Sequence, residues 1–296
     1  MYIDSLVLFL AVVDCKSFSE AAFEKNISQS ALSKQIKNLE QVCGTKLFDR
    51  SKHTIHLTDA GEVFAAHAET VVSEYNAMKN SMTTFNGTGT EYLRIASSPV
   101  LHLYEFSSMI KTFLNSHPDT HVQIDESPLF SIIKELDRLS IDLAIVRSEA
   151  FPDKEGFQFI PLIEDEVVFL CSDKNRLAKN KTVSISQINQ ENLVLLKPAI
   201  HEYLEILHEH GFELSRERNI FMLYAAFSIP DYIREVNYSS IMMKEMAEML
   251  CKKPGISMVP IEGRPKTSLD IVIKDRNISI MAERFIEVAT AFFAKE

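Results

Sequence analysis

Residues 17–44 read SFSEAAFEKNISQSALSKQIKNLEQVCG, and the fold turns on where this stretch breaks. Ser17 followed three residues later by Glu20 is a capping box, which predicts a helix from there to about Lys25. Asn26-Ile27-Ser28 interrupts it, and Ser28 can cap a second helix. In that helix Leu32, Ile36 and Leu39 recur at spacings of four and three, which makes one buried stripe, and Gly44 ends it. Two short helices joined by a tight turn form a helix-turn-helix. Serine is a poor interior helix residue because its hydroxyl competes for the backbone's hydrogen bonds. Its abundance here has a physical use, since short side chains let a helix backbone come close to whatever it faces. Ala21 and Ala22 allow close crossing of the two helices.

The outward positions of the second helix are Gln29, Ser30, Ser33, Lys34 and Lys37. A helix in a DNA major groove, about 12 Å wide, presents such groups to base edges and phosphates. Gln29 can bond an adenine edge, the serines can donate or accept, and the lysines suit phosphate or guanine. The charge supports this locally. Residues 28–56 carry five basic groups (Lys34, Lys37, Lys46, Arg50, Lys52) and two acids, in a chain of net charge −10. The expected partner is double-stranded DNA. The residues expected at it are Ser17, Ser28, Gln29, Ser30, Ser33, Lys34 and Lys37, with Arg50, Lys52 and His53 from a following hairpin over 45–57.

Around this core the chain of 296 residues has room for two domains. Upstream, LVLFLAVV (6–13) lacks a basic leader and is too short to span a membrane, so it reads as a buried first helix. Downstream, Thr58 caps a long helix whose Phe64, Ala68, Val71, Tyr75, Met78, Met82 and Phe85 alternate four and three apart. That is a heptad seam, which favours a two-helix dimer contact. NGTGT (86–90) follows as a hinge. Beyond it, apolar strands such as YLRIAS, DLAIVR, FQFIPLI, EVVFLC and SLDIVI alternate with helices near 100–116, 129–139, 199–210, 225–236 and 279–295. This predicts α/β architecture with mainly parallel pairing, as two lobes around a cleft.

Ligands of open α/β sheets bind beyond the carboxyl ends of strands. Those ends bring Ser97, Ser98 and Val100, then Ser127 and Leu129, then Arg147 from the first lobe. Lys197, Pro198, Tyr224 and Phe227 come from the second. Serines before a helix and an arginine suit a small organic anion. No cofactor is expected. The nucleophile elbow, zincin, P-loop and dinucleotide motifs are absent, and an enzyme is not expected. Cys15, Cys43, Cys171 and Cys251 show no paired or metal-ligand spacing, as in a cytoplasmic protein with reduced thiols. A binding protein or an enzyme on the same two-lobed fold is the alternative.

FLAVVDCKSFSEAAFEKNISQSALSKQIKNLEQVCGTKLFDRSKHTIHLTDAG resembles the winged helix-turn-helix of the LysR-type transcriptional regulators. The shared marks include Phe9, Val12, Ser17, Ala21-Ala22, Ser28-Gln29, Ser33, Ile36, Leu39-Glu40, Gly44, Leu47-Phe48, Arg50, Leu57-Thr58 and Gly61. Departures are Lys16 for a frequent glycine, Lys25 for leucine and Ser30 for proline. LSIDLAIV and LIEDEVVFLCSDKNRLA resemble later segments of the family, with Leu139 in place of a glycine. The resemblance implies a DNA-binding domain over 1–58, a dimerising linker helix and hinge over 59–90, and a periplasmic-binding-protein-like effector domain over 91–296. Its lobe I would comprise 91–163 and 267–296, and lobe II 164–266. It also implies a homodimer, a dimer of dimers, and RNA polymerase as partner at a promoter.

Overall fold

The computed structural model describes residues 3–49, 55–83, 91–151, 153–197, 200–214, 219–275 and 278–294. The chain divides into two compact units, one of residues 1–87 with 137–140 and one of 88–136 with 141–296. In the first, α1 (Ile3–Cys15), α2 (Phe18–Glu24) and α3 (Gln29–Cys43) lead to the strands β1 (Phe48–Asp49) and β2 (His56–Leu57), then to α4 (Asp59–Thr83). Local chemistry sets each boundary. Ser17 Oγ accepts from Glu20 N, and Ser28 Oγ accepts from Ala31 N. Gly44 ends α3 at φ 68°, and Thr58 Oγ1 accepts from Gly61 N at the start of α4. Lys16 and Asn26 take φ of 49° and 53° in the two turns that flank α2. Lys16 thus adopts the left-handed backbone for which a glycine is the usual choice.

The core of this unit joins Phe9, Leu10 and Val12 of α1 to Ala21, Leu32, Ile36, Leu39, Leu47 and Phe48. Ala65, Ala68 and Val72 of α4 complete it, and Phe64 lies edge-on to Phe9 at 5.0 Å.

The second unit starts with β3 (Glu91–Ser97), α5 (Phe106–Ser116), β4 (Thr120–Glu126), α6 (Leu129–Asp137) and β5 (Leu143–Arg147). Then come β6 (Phe157–Ser172), α7 (Ile185–Ile188), β7 (Leu193–Leu196), α8 (Ile200–Glu209), β8 (Ile220–Leu223), α9 (Ile229–Glu235) and β9 (Ser240–Met243). It ends with α10 (Lys244–Cys251), β10 (Ile256–Pro260), β11 (Lys266–Lys274) and α11 (Ile280–Phe293). The main sheet runs β10-β6-β11-β5-β3-β4, with β9 also on β6, while β7 pairs with β8. Successive residues of β5 feed opposite faces, Leu143 and Ile145 toward α5 and α11, Ala144 and Val146 toward α6. A second pair of cores flanks the far half of β6, with Val167, Phe169 and Cys171 on one face and Val168 and Leu170 on the other. Burial on both faces is why these strands read as unbroken apolar runs.

Four expectations need correction. FQFIPLI and EVVFLC are one 16-residue strand, β6, because its first part pairs with β11 and its last residues with β10 and β9. Pairing is mixed: β6 and β11 lie antiparallel to their neighbours, while β3–β4, β3–β5 and β7–β8 are parallel. The helix placed near 100–116 begins only at Phe106, after a 3-10 turn over Leu101–Leu103 and a left-handed Glu105. Two helices, α7 and α10, lie outside the expected set.

Candidate nucleic-acid interface and ligand site

On α3 the buried stripe points inward, so with about 3.6 residues per turn the opposite face is set. Ser28, Gln29, Ser30, Lys34 and Lys37 are exposed, and Ser33 is half-buried at the flank of the stripe. Asn38 and Gln41 share the exposed face, although nothing in the short-residue pattern singled them out. Ser17 and Ser28 are half-spent as caps, since their hydroxyls already accept backbone N–H groups. The predicted hairpin forms as the pairs Phe48–Leu57 and Asp49–His56. Arg50, Lys52 and His53 lie outside the described residues, as do Phe85 and the 86–90 hinge.

Glu40 has a role here that no local sequence pattern signals. It counted as a family mark without a role, yet its side chain is 3% exposed. Its carboxylate accepts from Leu47 N at 3.0 Å, Phe48 N at 3.4 Å and Lys46 Nζ at 2.9 Å. Burial pushes its carboxyl up, but these three hydrogen bonds and the Lys46 charge together hold it below the usual range.

The heptad seam on α4 divides. Phe64 and Ala68 are taken up by the core of their own unit. Val71, Met78 and Met82 are 48%, 53% and 49% exposed, and Tyr75 is half-buried.

The first-lobe residues of the expected ligand site converge at the ends of β3, β4 and β5. Ser127 N donates to Ser97 O at 3.0 Å, and Ser98 N donates to Ile145 O at 3.3 Å. Ser97, Ser98 and Val100 are buried, and Leu129 is half-buried at the start of α6. Ser97 and Ser98 open no α-helix, so the expected anion-binding helix end is absent there. Arg147 is also not a waiting cation. It is 1% exposed, and its guanidinium bonds the Tyr104 hydroxyl and reaches Asp165 at 3.4 Å. The Tyr104 hydroxyl in turn donates to Asp165, and burial pushes the phenol well above its ordinary value. Asp165 was hidden in an apparent break between two strands.

Of the residues expected from the second lobe, Lys197 Nζ lies over the Tyr224 ring at 5.0 Å. Tyr224 and Phe227 are 72% and 61% exposed. Pro198 lies outside the described residues. A cavity of about 470 Å³ opens beside α8 and the start of β11, lined by Glu149, Lys154, Glu205, Glu209, His210, Arg264 and Lys266 among others. None of the described residues among those expected at the ligand lines it.

None of the four thiols is activated. Burial pushes Cys171 up to about 12, and burial with the Glu24 hydrogen bond pushes Cys15 up to about 11. Cys43 and Cys251 are also raised, by burial first. Among the described residues no group of three or more His, Cys, Asp or Glu side chains could hold a metal ion, and no helix is long and apolar enough to cross a membrane.

Two family descriptions match the chain: "Bacterial regulatory helix-turn-helix protein, lysR family" over residues 3–62 and "LysR substrate binding domain" over residues 86–294. A hydrogen peroxide-inducible genes activator of Haemophilus influenzae is 23% identical over 292 residues, covering 98% of this chain and 96% of that protein. A probable RuBisCO transcriptional regulator of Thalassiosira pseudonana is 28% identical over 186 residues, covering 62% of this chain and 61% of that protein. The solved structure of full-length CbnR complexed with its target DNA superposes with a TM-score of 0.59 at 20% identity, covering 98% of this chain and 99% of that one.

Proposed function

This chain belongs to the LysR family of DNA-binding transcriptional regulators, and on that premise we propose that it reads an operator as a dimer and answers to a small organic ligand bound without covalent chemistry. One observation carries the DNA half. The face of α3 opposite Leu32, Ile36 and Leu39 presents short polar groups and two lysines to solvent, in a chain that is otherwise acidic. Gln29 and Ser33 are the proposed base contacts, and Lys34 and Lys37 the phosphate contacts. The dimer contact is the exposed row Val71, Met78 and Met82 on α4, with Tyr75 beside it. RNA polymerase is the partner at the promoter.

The ligand is proposed to lie at the carboxyl ends of the strands, between Ser98 and Ser127 on one lobe and Lys197, Tyr224 and Phe227 on the other. With Arg147 committed to Asp165, Lys197 is the exposed cation of the set, and its place over Tyr224 favours an anion with an apolar body. Thiol oxidation is a poor fit as the signal, because a reactive cysteine needs a lowered pKa and all four here are raised.

The test is a salt titration on the DNA just upstream of the chain's own gene and on a scrambled duplex. Gln29→Ala should lose roughly tenfold in preference for the operator, since a good bidentate contact is worth about 1–3 kcal/mol. Lys37→Ala should weaken both duplexes alike and lower the salt slope by about 1. Equal losses on both duplexes for Gln29→Ala would remove residue 29 from the reading surface. A metabolite panel added to the same assay tests the ligand half. Lys197→Ala should abolish any response without changing operator affinity.

A further inference from the structure

The backbone of residues 46–48 is held from two sides. From α3, the buried Glu40 carboxylate takes the N–H groups of Leu47 and Phe48 and the ammonium of Lys46. From the start of α4, Thr58 N donates to Leu47 O at 3.0 Å and Thr58 Oγ1 donates to Lys46 O at 2.7 Å. Gly61 comes so near that a Cβ on it would stand 2.1 Å from Leu47 O. Leu47 N and Phe48 N are therefore held by α3, and Lys46 O and Leu47 O by Thr58 at the start of α4. A buried carboxylate that accepts two backbone N–H groups, with the exposed Lys46 ammonium as a third partner, is a stiff joint, because each bond fixes the others.

We infer that Glu40 is a positioning residue that locks the angle between the recognition helix α3 and the linker helix α4. In a dimer built on α4, the protein and not the DNA then sets the distance between the two recognition helices. This rests on the dimeric DNA-binding reading above. If the hydrophobic core around Phe9 and Phe64 alone set the angle, removal of Glu40 would cost stability and leave spacing untouched.

The experiment uses the full chain and duplexes carrying two half-sites of its selected operator. Spacers are native, one base pair longer and one shorter, beside a duplex with a single half-site, since a dimer's half-sites must match its geometry. Wild type should prefer the native spacer. Glu40→Ala should keep single-half-site affinity within about twofold and lose at least about threefold of the spacing preference, the least that one lost hydrogen bond implies. Glu40→Gln keeps an acceptor for Leu47 N and Phe48 N, so it should retain the preference. Thr58→Val loosens the same segment from the α4 side and should copy Glu40→Ala, which decides the matter if Glu40→Ala fails to fold. Native-like melting with wild-type spacing preference in the folded variants would overturn the inference. A wild type that prefers its selected duplex over a scrambled one but ignores spacing would overturn it too. No preference over scrambled DNA would sink the DNA-binding reading itself.

Discussion

Gly61→Ala sets local propensity against tertiary geometry with opposite signs. Gly61 is in the first turn of α4, where alanine should stabilise a helix by about 1 kcal/mol. In the folded unit the added Cβ would meet Leu47 O at 2.1 Å, Leu47 C at 3.0 Å and Leu57 Cδ2 at 3.0 Å. Restoring an ordinary contact of about 3.5 Å means moving backbone by about 1 Å or more. Overpacking of that kind costs about 1–3 kcal/mol. The Thr58 N to Leu47 O bond would stretch as well, for about 1 kcal/mol more. Set against the propensity gain, the net loss is about 1–3 kcal/mol. In a domain of this size that lowers the melting temperature by roughly 5–20 °C. Calorimetry of the full chain follows the transition of the first unit. Gly44→Ala is the control, since it meets nothing within 4 Å and pays only for its φ of 68°, about 1–2 kcal/mol. A Gly61→Ala protein that melts at or above wild type would refute the close approach of α4 to the base of the wing.

Arg147→Ala should destabilise the second unit by about 3–5 kcal/mol, because it strands Asp165 in a dry site, and Arg147→Met with Asp165→Leu should recover most of the loss. A single variant that melts like wild type would show that the pair carries no such load. Met78→Lys with Met82→Lys should weaken self-association at least about a hundredfold, since each charge must be dried in the interface, while the melting of the separated chain stays unchanged. Light scattering that returns the wild-type mass would clear that face of a role. Glu40 has a folded pKa below its ordinary value of about 4.3, so its contribution is complete above that value and fades as pH falls through the lower folded one. Melting curves of wild type and Glu40→Gln should therefore differ by a constant amount above about pH 5 and converge below it; a gap that widens on acidification contradicts the sign.

Local chemistry was legible in the sequence wherever partners lie a few residues apart. Ser17, Ser28, Gly44 and Thr58 mark helix ends through bonds to neighbours three residues away or through a backbone angle, so their positions could be read directly. The stripe of Leu32, Ile36 and Leu39 was legible for the same reason. What failed depended on distant partners. Glu164-Asp165 reads as a polar break, but Asp165 is matched by Arg147 and Tyr104 from other elements, so the strand runs through it. Phe64 and Ala68 fit a heptad seam by spacing, yet α1 claims them first. Glu40 has no local signature, because the N–H groups it serves lie seven and eight residues on.

The strand β11 has a consequence for the order in which the chain can assemble during synthesis. It lies between β6 and β5, so the sheet that holds β3, β4 and β5 cannot close until residues 266–274 have left the ribosome. Everything from Val167 to Pro265 is made before that, and its two ends meet where Val167 N donates to Pro265 O at 2.8 Å. That intervening piece begins and ends at one point, has its own two cores, and can fold as a closed loop while the earlier strands wait. The waiting strands expose β5, an apolar edge, to the crowded cell for that interval. The same closure makes the piece a cassette: its ends are near enough that a foreign lobe of matching span, bringing its own continuation of β6, could be spliced between them while β3, β4, β5, β11 and the first part of β6 keep their pairing.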